Sequence, residues 1–119
     1  MQDFRNLKVW QKAHELVLEV YQATRKYPKE ELFSLTQQTR RSSMSIPTNI
    51  AEGCGRGSDA DFVRFLWIAN GSAKELDYQL LLAKDLGFLD AAVYASQYAI
   101  LNEIKRMLSG LIQSVKNSG

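Results

Sequence analysis

Residues 35–57 read LTQQTRRSSMSIPTNIAEGCGRG, and this stretch defines the second of four predicted helices. Together with Leu32 it carries a row of side chains at steps of three and four, the period of a helix with one buried face. The members of this row are Leu32, Leu35, Thr39, Ser42, Ile46 and Ile50. Pro47 removes one backbone hydrogen bond inside the segment and should kink the helix. Because Gly53, Gly55 and Gly57 then end the pattern, the sequence predicts a kinked helix over residues 30–54.

The segment before this one has the same helical spacing. It covers residues 7–26 and ends before Pro28, because proline disfavours helical geometry in the residue that precedes it. Two adjacent apolar rows run along it, Leu7, Trp10, His14, Val17 and Tyr21 in one and Val9, Ala13, Leu16 and Val20 in the other. The sequence therefore predicts a first amphipathic helix.

Two more helices follow the glycine-rich stretch. Ser58 with Asp61 imitates a capping box at the start of the third helix, which should end at Gly87. Asp90 is placed to cap the fourth helix. Since no segment alternates with the period of a strand, we predict an all-α fold, an antiparallel up-down four-helix bundle formed by a single domain of residues 1–119.

Composition limits the classes of protein that this chain can represent. The 119 residues are 45% hydrophobic and 24% charged, which is ordinary globular composition. A lone cysteine excludes an internal disulfide and a multi-cysteine zinc site. The longest apolar run, residues 65–69, is far shorter than a membrane span, and residues 1–5 lack the apolar core of a signal peptide. We expect a cytoplasmic protein with no membrane association.

Few residues are suited to catalysis or metal binding. His14 is the only histidine, and its place between Trp10 and Val17 favours a hydrogen-bonded core or interface residue over a metal ligand. No signature of a cysteine enzyme surrounds Cys54. The glycines at 53, 55 and 57 lack the lysine and strand of a phosphate-binding loop, and suit a turn with positive φ angles. The alternative is an anion site formed by Arg56 and the start of the third helix. We therefore expect a protein that is not an enzyme and has no cofactor and no metal.

A polar stripe runs along the predicted second helix. Its members recur at three- and four-residue steps, with Arg40 at the edge, and they are Gln37, Arg41, Ser45, Asn49, Glu52 and Arg56. One interpretation is a recognition surface for RNA or a protein, because arginine makes bidentate contacts with phosphate and carboxylate. The other is a solvated face on which Glu52 pairs with Arg56. The spacing alone leaves both open.

The charge is distributed unevenly along the chain. Fifteen basic against thirteen acidic residues give a net charge of only +2, but the basic excess is concentrated in and just after the first helix. The residues concerned are Arg5, Lys8, Lys12, Arg25, Lys26 and Lys29. This gradient favours a local positive patch, and the candidate nucleic-acid-binding residues are accordingly Lys8 and Lys12 together with Arg40, Arg41, Asn49 and Arg56.

Surplus apolar side chains on the third and fourth helices indicate self-association. The third helix is apolar nearly all the way round near Trp67 and Ile68. The fourth has a second apolar row, which consists of Tyr94, Tyr98, Leu101, Leu108 and Ile112. The candidate oligomer interface consists of Trp67, Ile68, Tyr94 and Tyr98. The alternative is a large monomer core with incidental surface apolar residues.

Two runs, LTQQTRR at 35–41 and SIPTNIAEG at 45–53, resemble the central motif of a bacterial four-helix-bundle family encoded in intervening sequences of 23S ribosomal RNA genes. Residues at the front of the chain and in the third helix resemble the family as well, whereas Ser34 and Asp61 depart from its usual pattern. The resemblance implies a homopentameric ring. A related branch, the accessory proteins of diversity-generating retroelements, is also pentameric and binds a reverse transcriptase and RNA.

The resemblance also implies roles for individual positions. The motif positions most worth testing are Arg40, Arg41, Asn49, Glu52 and Arg56. Of these, Glu52 is expected to be a structural residue of the motif, together with Pro47 and Gly53. Ser72 and Glu75 are expected in a buried polar network against the second helix, and Gly71 in close packing.

From these observations we expect a non-enzymatic oligomer that binds structured RNA or a ribonucleoprotein through a basic and polar surface. The alternative function is an oligomeric scaffold that binds a partner protein without touching nucleic acid directly.

Overall fold

The computed structural model describes residues 3–118 and confirms an all-α four-helix bundle. The α-helices are α1 (Lys8–Thr24), α2 (Gln37–Cys54), α3 (Asp59–Asp85) and α4 (Ala91–Ser118). Each packs on its neighbour along the chain, and α1 also packs on α4, so the four close into one bundle of 47 × 24 × 20 Å. Within the described residues, no helix combines the length and apolar composition needed to cross a membrane.

The core is formed by one face of every helix. On α1 it is the row of Val9, Ala13, Leu16 and Val20 that is buried. The neighbouring row from Trp10 to Tyr21 is half-buried, with His14 exposed at its centre. Of the two predicted places for His14, the core is therefore wrong, and an interface with another subunit stays a prediction. The His14 ring stacks on Trp10, with centroids 5.1 Å apart and planes within 6°.

The predicted helix boundaries after residue 57 are confirmed. The Ser58 hydroxyl accepts a hydrogen bond from the Asp61 amide at 3.2 Å and caps α3. The Asp90 carboxylate accepts from the Ala92 amide at 3.0 Å at the start of α4. Gly87 has a φ of +82°, the left-handed conformation that glycine adopts most easily after a helix. Short polar signals thus set the ends of the two longest helices.

A π-helical turn, Leu32–Thr36, precedes α2 and explains one wrong prediction. The spacing places Leu32 in the buried row of the second helix, yet its side chain is 45% exposed. A π turn contains one residue more than an α turn, and one residue corresponds to about 100° of rotation. Leu32 is therefore rotated out of the row in which Leu35, Thr39 and Ile46 are buried.

Helix α2 lies unusually close to α3. A Cβ atom added at Gly53 would lie 2.9 Å from Cδ1 of Phe62 and 3.0 Å from Cβ of Phe65, so only glycine fits there without displacement. None of Gly53, Gly55 and Gly57 has a positive φ, so the prediction of a positive-φ turn is wrong. The reason for glycine at position 53 is contact with α3 rather than backbone conformation.

A small polar network joins the same two helices near their middles. The hydroxyls of Ser45 and Ser72 are 2.7 Å apart, and the Asn49 amide donates to the Ser45 hydroxyl at 3.0 Å. Ser72 therefore belongs to an interhelical polar network as predicted. The prediction is wrong for Glu75, which is exposed.

Gly71 and Pro47 lie inside helices with different surroundings. Gly71 is exposed, and a Cβ there would meet no atom within 4 Å, so the predicted close packing at this glycine is wrong within the described chain. Pro47 is buried inside α2, which remains α-helical on both sides of it. The kink at Pro47 stays a prediction.

Only part of the second apolar row on α4 is left exposed by the core of the single chain. Leu101, Leu108 and Ile112 are buried in the core of this single chain, so they are not available to another subunit. Tyr98 remains 42% exposed, and Tyr94 is half-buried with its ring 5.7 Å from that of Tyr98.

Gly53→Ala should destabilise the protein by about 1–2 kcal/mol, because the added methyl group overpacks the α2–α3 contact and Phe65 Cβ is too near its own backbone to move aside. Gly110→Ala is the matched control: it lies inside α4 with open space around it, and alanine there should stabilise by up to about 1 kcal/mol. Urea unfolding of both variants measures the difference. Equal free energies of unfolding would contradict the close contact at position 53.

Stability should fall between about pH 10 and pH 12 because of Tyr27. Burial raises the pKa of Tyr27 from 10.0 to about 12, so the unfolded chain releases this proton at lower pH than the folded chain. The resulting decrease in stability amounts to about 2 kcal/mol by pH 12. Tyr27→Phe, which keeps the ring contact with Phe88, should remove this part of the pH dependence. Tyr78→Phe is the control, because the Tyr78 side chain is 62% exposed. The unfolding free energy of this variant should depend on pH as that of the wild-type protein does.

Candidate nucleic-acid interface

The polar stripe predicted on the second helix divides into internal and exposed residues. Ser45 is half-buried in the network with Ser72, and the Asn49 amide also donates to the Ser45 carbonyl at 2.8 Å. Gln37, Arg41 and Glu52 are exposed. Asn49 is therefore engaged within the bundle, and Arg41 is the exposed cation on this part of α2.

Arg40 joins α2 to α1. Its Nε donates to the Thr24 hydroxyl at 2.8 Å, and its guanidinium lies 4.9 Å from the centre of the Tyr21 ring. Thr24 is buried and Arg40 is half-buried. These contacts fix the guanidinium in place, so that Arg40 has a structural role and also carries a positive charge at a defined position.

A cavity of about 350 Å³ opens beside Arg40 and Arg41. Its apolar lining consists of Tyr21, Leu32, Phe33 and Met44, and Gln37 completes the polar part. The Phe33 side chain is 84% exposed, which is exceptional for a phenylalanine, and it lies in the π-helical turn. The cavity therefore combines two aromatic rings with two guanidinium groups.

Three further cations lie at the same end of the bundle. Arg25 and Lys26 directly follow Thr24, the residue that Arg40 contacts, and Lys29 comes three residues after Lys26; all three are exposed. Among residues 3–118, neither these three nor the two arginines form an ion pair. We call residues Arg25, Lys26, Lys29, Arg40 and Arg41 the basic end.

The other predicted binding residues lie elsewhere. Lys12 pairs with Glu103 across the α1–α4 contact, with nitrogen and oxygen 3.7 Å apart. Lys8 is exposed at the start of α1, about 20 Å along the helix axis from Tyr21. The structure thus brings Arg40 and Arg41 together with Arg25, Lys26 and Lys29, but not with Lys8 or Lys12.

Arg56 lies at the opposite end of α2 from the basic end. Its guanidinium is 4.8 Å from the centre of the Phe65 ring, and Arg64 lies 4.5 Å from the same centre. No ion pair joins Arg56 to Glu52 within residues 3–118, so the solvated-face interpretation is wrong in that detail. Arg56 also lines a second cavity of about 520 Å³, between the start of α3 and the end of α4.

Sequence reasoning misses Phe33 altogether. A phenylalanine next to Leu32 in a helical pattern is ordinarily counted with the core, and only the π-helical turn reveals that both side chains point outward. The sequence signal that could have indicated this site is the group of basic and aromatic residues that follows the first helix. The pattern identifies the basic residues Arg25, Lys26 and Lys29, but their proximity to Arg40 requires the fold.

Cys54, the one cysteine of the sequence, is buried at the end of α2. Burial raises the pKa of the Cys54 thiol, with a further contribution from the charge of Asp3, so the nucleophilic thiolate is disfavoured. Across the same residues no three histidine, cysteine, aspartate or glutamate side chains come together in a way that could hold a metal ion. The arrangement at the basic end is instead suited to binding an anion beside an aromatic surface.

The predicted interface residues on α3 are accessible. Trp67 is 51% exposed and Ile68 is 41% exposed, and Tyr78 and Leu81 are exposed further along the same helix, with the exposed Lys74 between the two pairs. We call the four apolar residues the apolar face of α3. Single exposed apolar residues are common, but a run of large ones on one helix is typical of an interaction surface. Tyr98 on α4 is exposed as well, and none of these five apolar side chains belongs to the basic end.

Comparisons with known proteins agree with this fold. Residues 5–110 match the family model described as 23S rRNA-intervening sequence protein. A protein of unknown function from the S23 ribosomal protein family of Bacteroides thetaiotaomicron has a similar crystal structure, with a TM-score of 0.82 and 29% sequence identity over 88% of this chain and 95% of that one. No curated protein matches the chain. Because the family model covers most of its length, the chain belongs to the 23S rRNA-intervening sequence protein family.

Proposed function

We propose that this protein is a non-enzymatic, oligomeric helical bundle that binds structured RNA, alone or within a ribonucleoprotein, through its basic end. The observation that carries the proposal is the position of Phe33, an aromatic ring that is 84% exposed beside Arg40 and Arg41. Cationic side chains next to exposed aromatic rings are the usual means by which proteins bind RNA.

The charge balance of the basic end supports this proposal. Residues 25–41 contain five basic and two acidic side chains, a net charge of +3, whereas the whole chain carries +2. The rest of the chain is therefore slightly acidic. A positive region on an otherwise acidic protein attracts phosphate to one place and orients the encounter.

Self-association is the second part of the proposal. The exposed apolar face of α3 would be covered by another copy of the chain, and the family resemblance implies five copies in a ring. Each added subunit contributes another basic end, so a closed ring would strengthen the attraction for a large polyanion. Weak binding at each subunit then suffices for useful affinity.

Removing two exposed cations of the basic end should weaken RNA binding in a salt-dependent manner. In the variant Lys26→Gln/Arg41→Gln, the slope of log Kd against log salt concentration should fall by about 0.7–0.9 for each phosphate that the protein no longer neutralises. Fluorescence anisotropy with a labelled ribosomal RNA hairpin measures the slope.

The matched control is Lys8→Gln/Lys116→Gln, which changes the net charge equally at exposed positions of the opposite end. This control should keep the wild-type slope. Equal reductions in both variants would assign the binding to net charge alone, and absence of salt-dependent binding by the wild-type protein would rule out direct RNA binding.

Trp67→Lys should disrupt the oligomer, because it places a charge within the apolar face of α3. Multi-angle light scattering at micromolar concentration should give a multiple of 13.5 kDa for the wild-type protein and a lower mass for the variant. Gln113→Lys adds the same charge at an exposed position of α4 and should keep the wild-type mass. A wild-type mass of one chain would contradict self-association.

The scaffold alternative rests on the same apolar face of α3. If that face binds a different protein, pull-down should recover a stoichiometric partner that survives nuclease treatment and is absent with Trp67→Lys. Under this alternative, substitutions at the basic end have no effect on partner recovery.

A further inference from the structure

We propose that the cavity between Phe33 and Tyr21 holds a single unpaired nucleobase of the bound RNA. This inference rests on the proposed function, and it specifies which part of the RNA the basic end recognises. It implies a preference for loops and bulges over continuous double helix, because bases inside a duplex are already stacked on both faces.

The aromatic part of the site is suited to stacking. The Phe33 ring is exposed at the rim of the cavity. Stacking of a base on this ring would remove its apolar surface from water, which favours binding. Tyr21 is half-buried at the inner side, and its hydroxyl donates to the Met44 sulfur at 3.2 Å. One ring is therefore held in place while the other is accessible to a ligand.

The polar groups of the cavity suit the remainder of a nucleotide. Gln37 is exposed on the cavity lining, and its amide both donates and accepts hydrogen bonds, as the edge of a base requires. Arg41 is exposed and in no ion pair within residues 3–118, so it is available to a phosphate. Arg40 is already held by Thr24 and Tyr21, and adds positive charge without reorganisation.

The size of the cavity agrees with one flat ligand. Its volume of about 350 Å³ is at the small end of ligand pockets, which span roughly 300–1,000 Å³. A cavity of about 420 Å³ beside Trp10 and His14 has aromatic rings but no arginine or lysine on its lining. The cavity beside Arg56 is bordered by Asp59, whose carboxylate opposes the binding of phosphate, and so is a fourth cavity, which has no aromatic ring. The observations therefore favour the Phe33 cavity as the nucleotide site.

The test compares a hairpin RNA with an unpaired loop and a blunt duplex of equal phosphate number, both fluorescently labelled. The wild-type protein should bind the hairpin about 10-fold more tightly, as expected for one base stacked on an aromatic ring. Phe33→Leu keeps an apolar side chain without the aromatic face and should reduce the preference to less than about 2-fold. Because neither residue is charged, the salt dependence of binding should stay as in the wild-type protein.

Two controls accompany this variant. Phe33→Trp retains an aromatic face and should retain the preference for the hairpin. Leu86→Ala removes a 52% exposed apolar side chain from the same end of the bundle but outside the cavity, and should also leave the preference unchanged.

A second measurement uses 2-aminopurine in the RNA loop. Its fluorescence should be quenched on binding to the wild-type protein and much less on binding to Phe33→Leu.

The outcomes separate this inference from the proposed function. Salt-dependent binding with equal affinity for hairpin and duplex, or a hairpin preference unaltered in Phe33→Leu, overturns the nucleobase site and leaves RNA binding in place. No salt-dependent binding of either RNA overturns both.

Discussion

The close contact between α2 and α3 is the constraint on which the rest of the bundle depends. At Gly53 the backbone of α2 leaves no space for a methyl group beside Phe62 and Phe65, and near the helix middles the Ser45 and Ser72 hydroxyls are 2.7 Å apart. Small side chains on α2 allow this approach, and hydrogen bonds compensate for burying their polar atoms. The residues of α2 and of the preceding π-helical turn that do not take part in this contact include the exposed Arg41 and Phe33.

This constraint accounts for the unusual sequence of the second helix. An ordinary bundle helix would have large aliphatic residues along its buried row, but α2 has Thr39, Ser42 and Ser43 there. The Thr39 hydroxyl donates to the Leu35 carbonyl at 2.7 Å and that of Ser43 to the Arg40 carbonyl at 2.8 Å, so both are satisfied within the helix. Polarity in this segment therefore reflects packing as much as recognition, and polarity alone is a poor guide to the binding surface.

The fold could be predicted from the sequence because its signals are local. The spacing of apolar residues, the caps at Ser58 and Asp90 and the stop at Gly87 are each readable within a few residues. What the sequence did not reveal depends on how helices face one another. Whether the Trp10 row or the Val9 row of α1 is buried, and whether Gly71 meets a neighbour, is decided only when the four helices are assembled.

Less of the candidate site than of the fold could be predicted from the sequence. The spacing identifies Arg40 and Arg41, yet it cannot separate Asn49, which is engaged within α2, from Arg41, which is exposed. Nor can it bring Arg25, Lys26 and Lys29 close to Arg40, since that proximity comes from the antiparallel pairing of α1 with α2. The exposure of Phe33 depends on an irregular turn that periodicity does not detect.

That irregular turn has a consequence for how relatives of this chain can diverge. The π-helical segment Leu32–Thr36 contains one residue more than an α turn would need, so a deletion there can be absorbed by returning the turn to α geometry. The residues just before the deletion would rotate by about 100° about the helix axis, while α2 and its contact with α3 would stay in register. Deletions of one residue in this family should therefore be tolerated at these five positions far better than inside α2, and each would redirect the aromatic residue at the rim while the four helices keep their contacts.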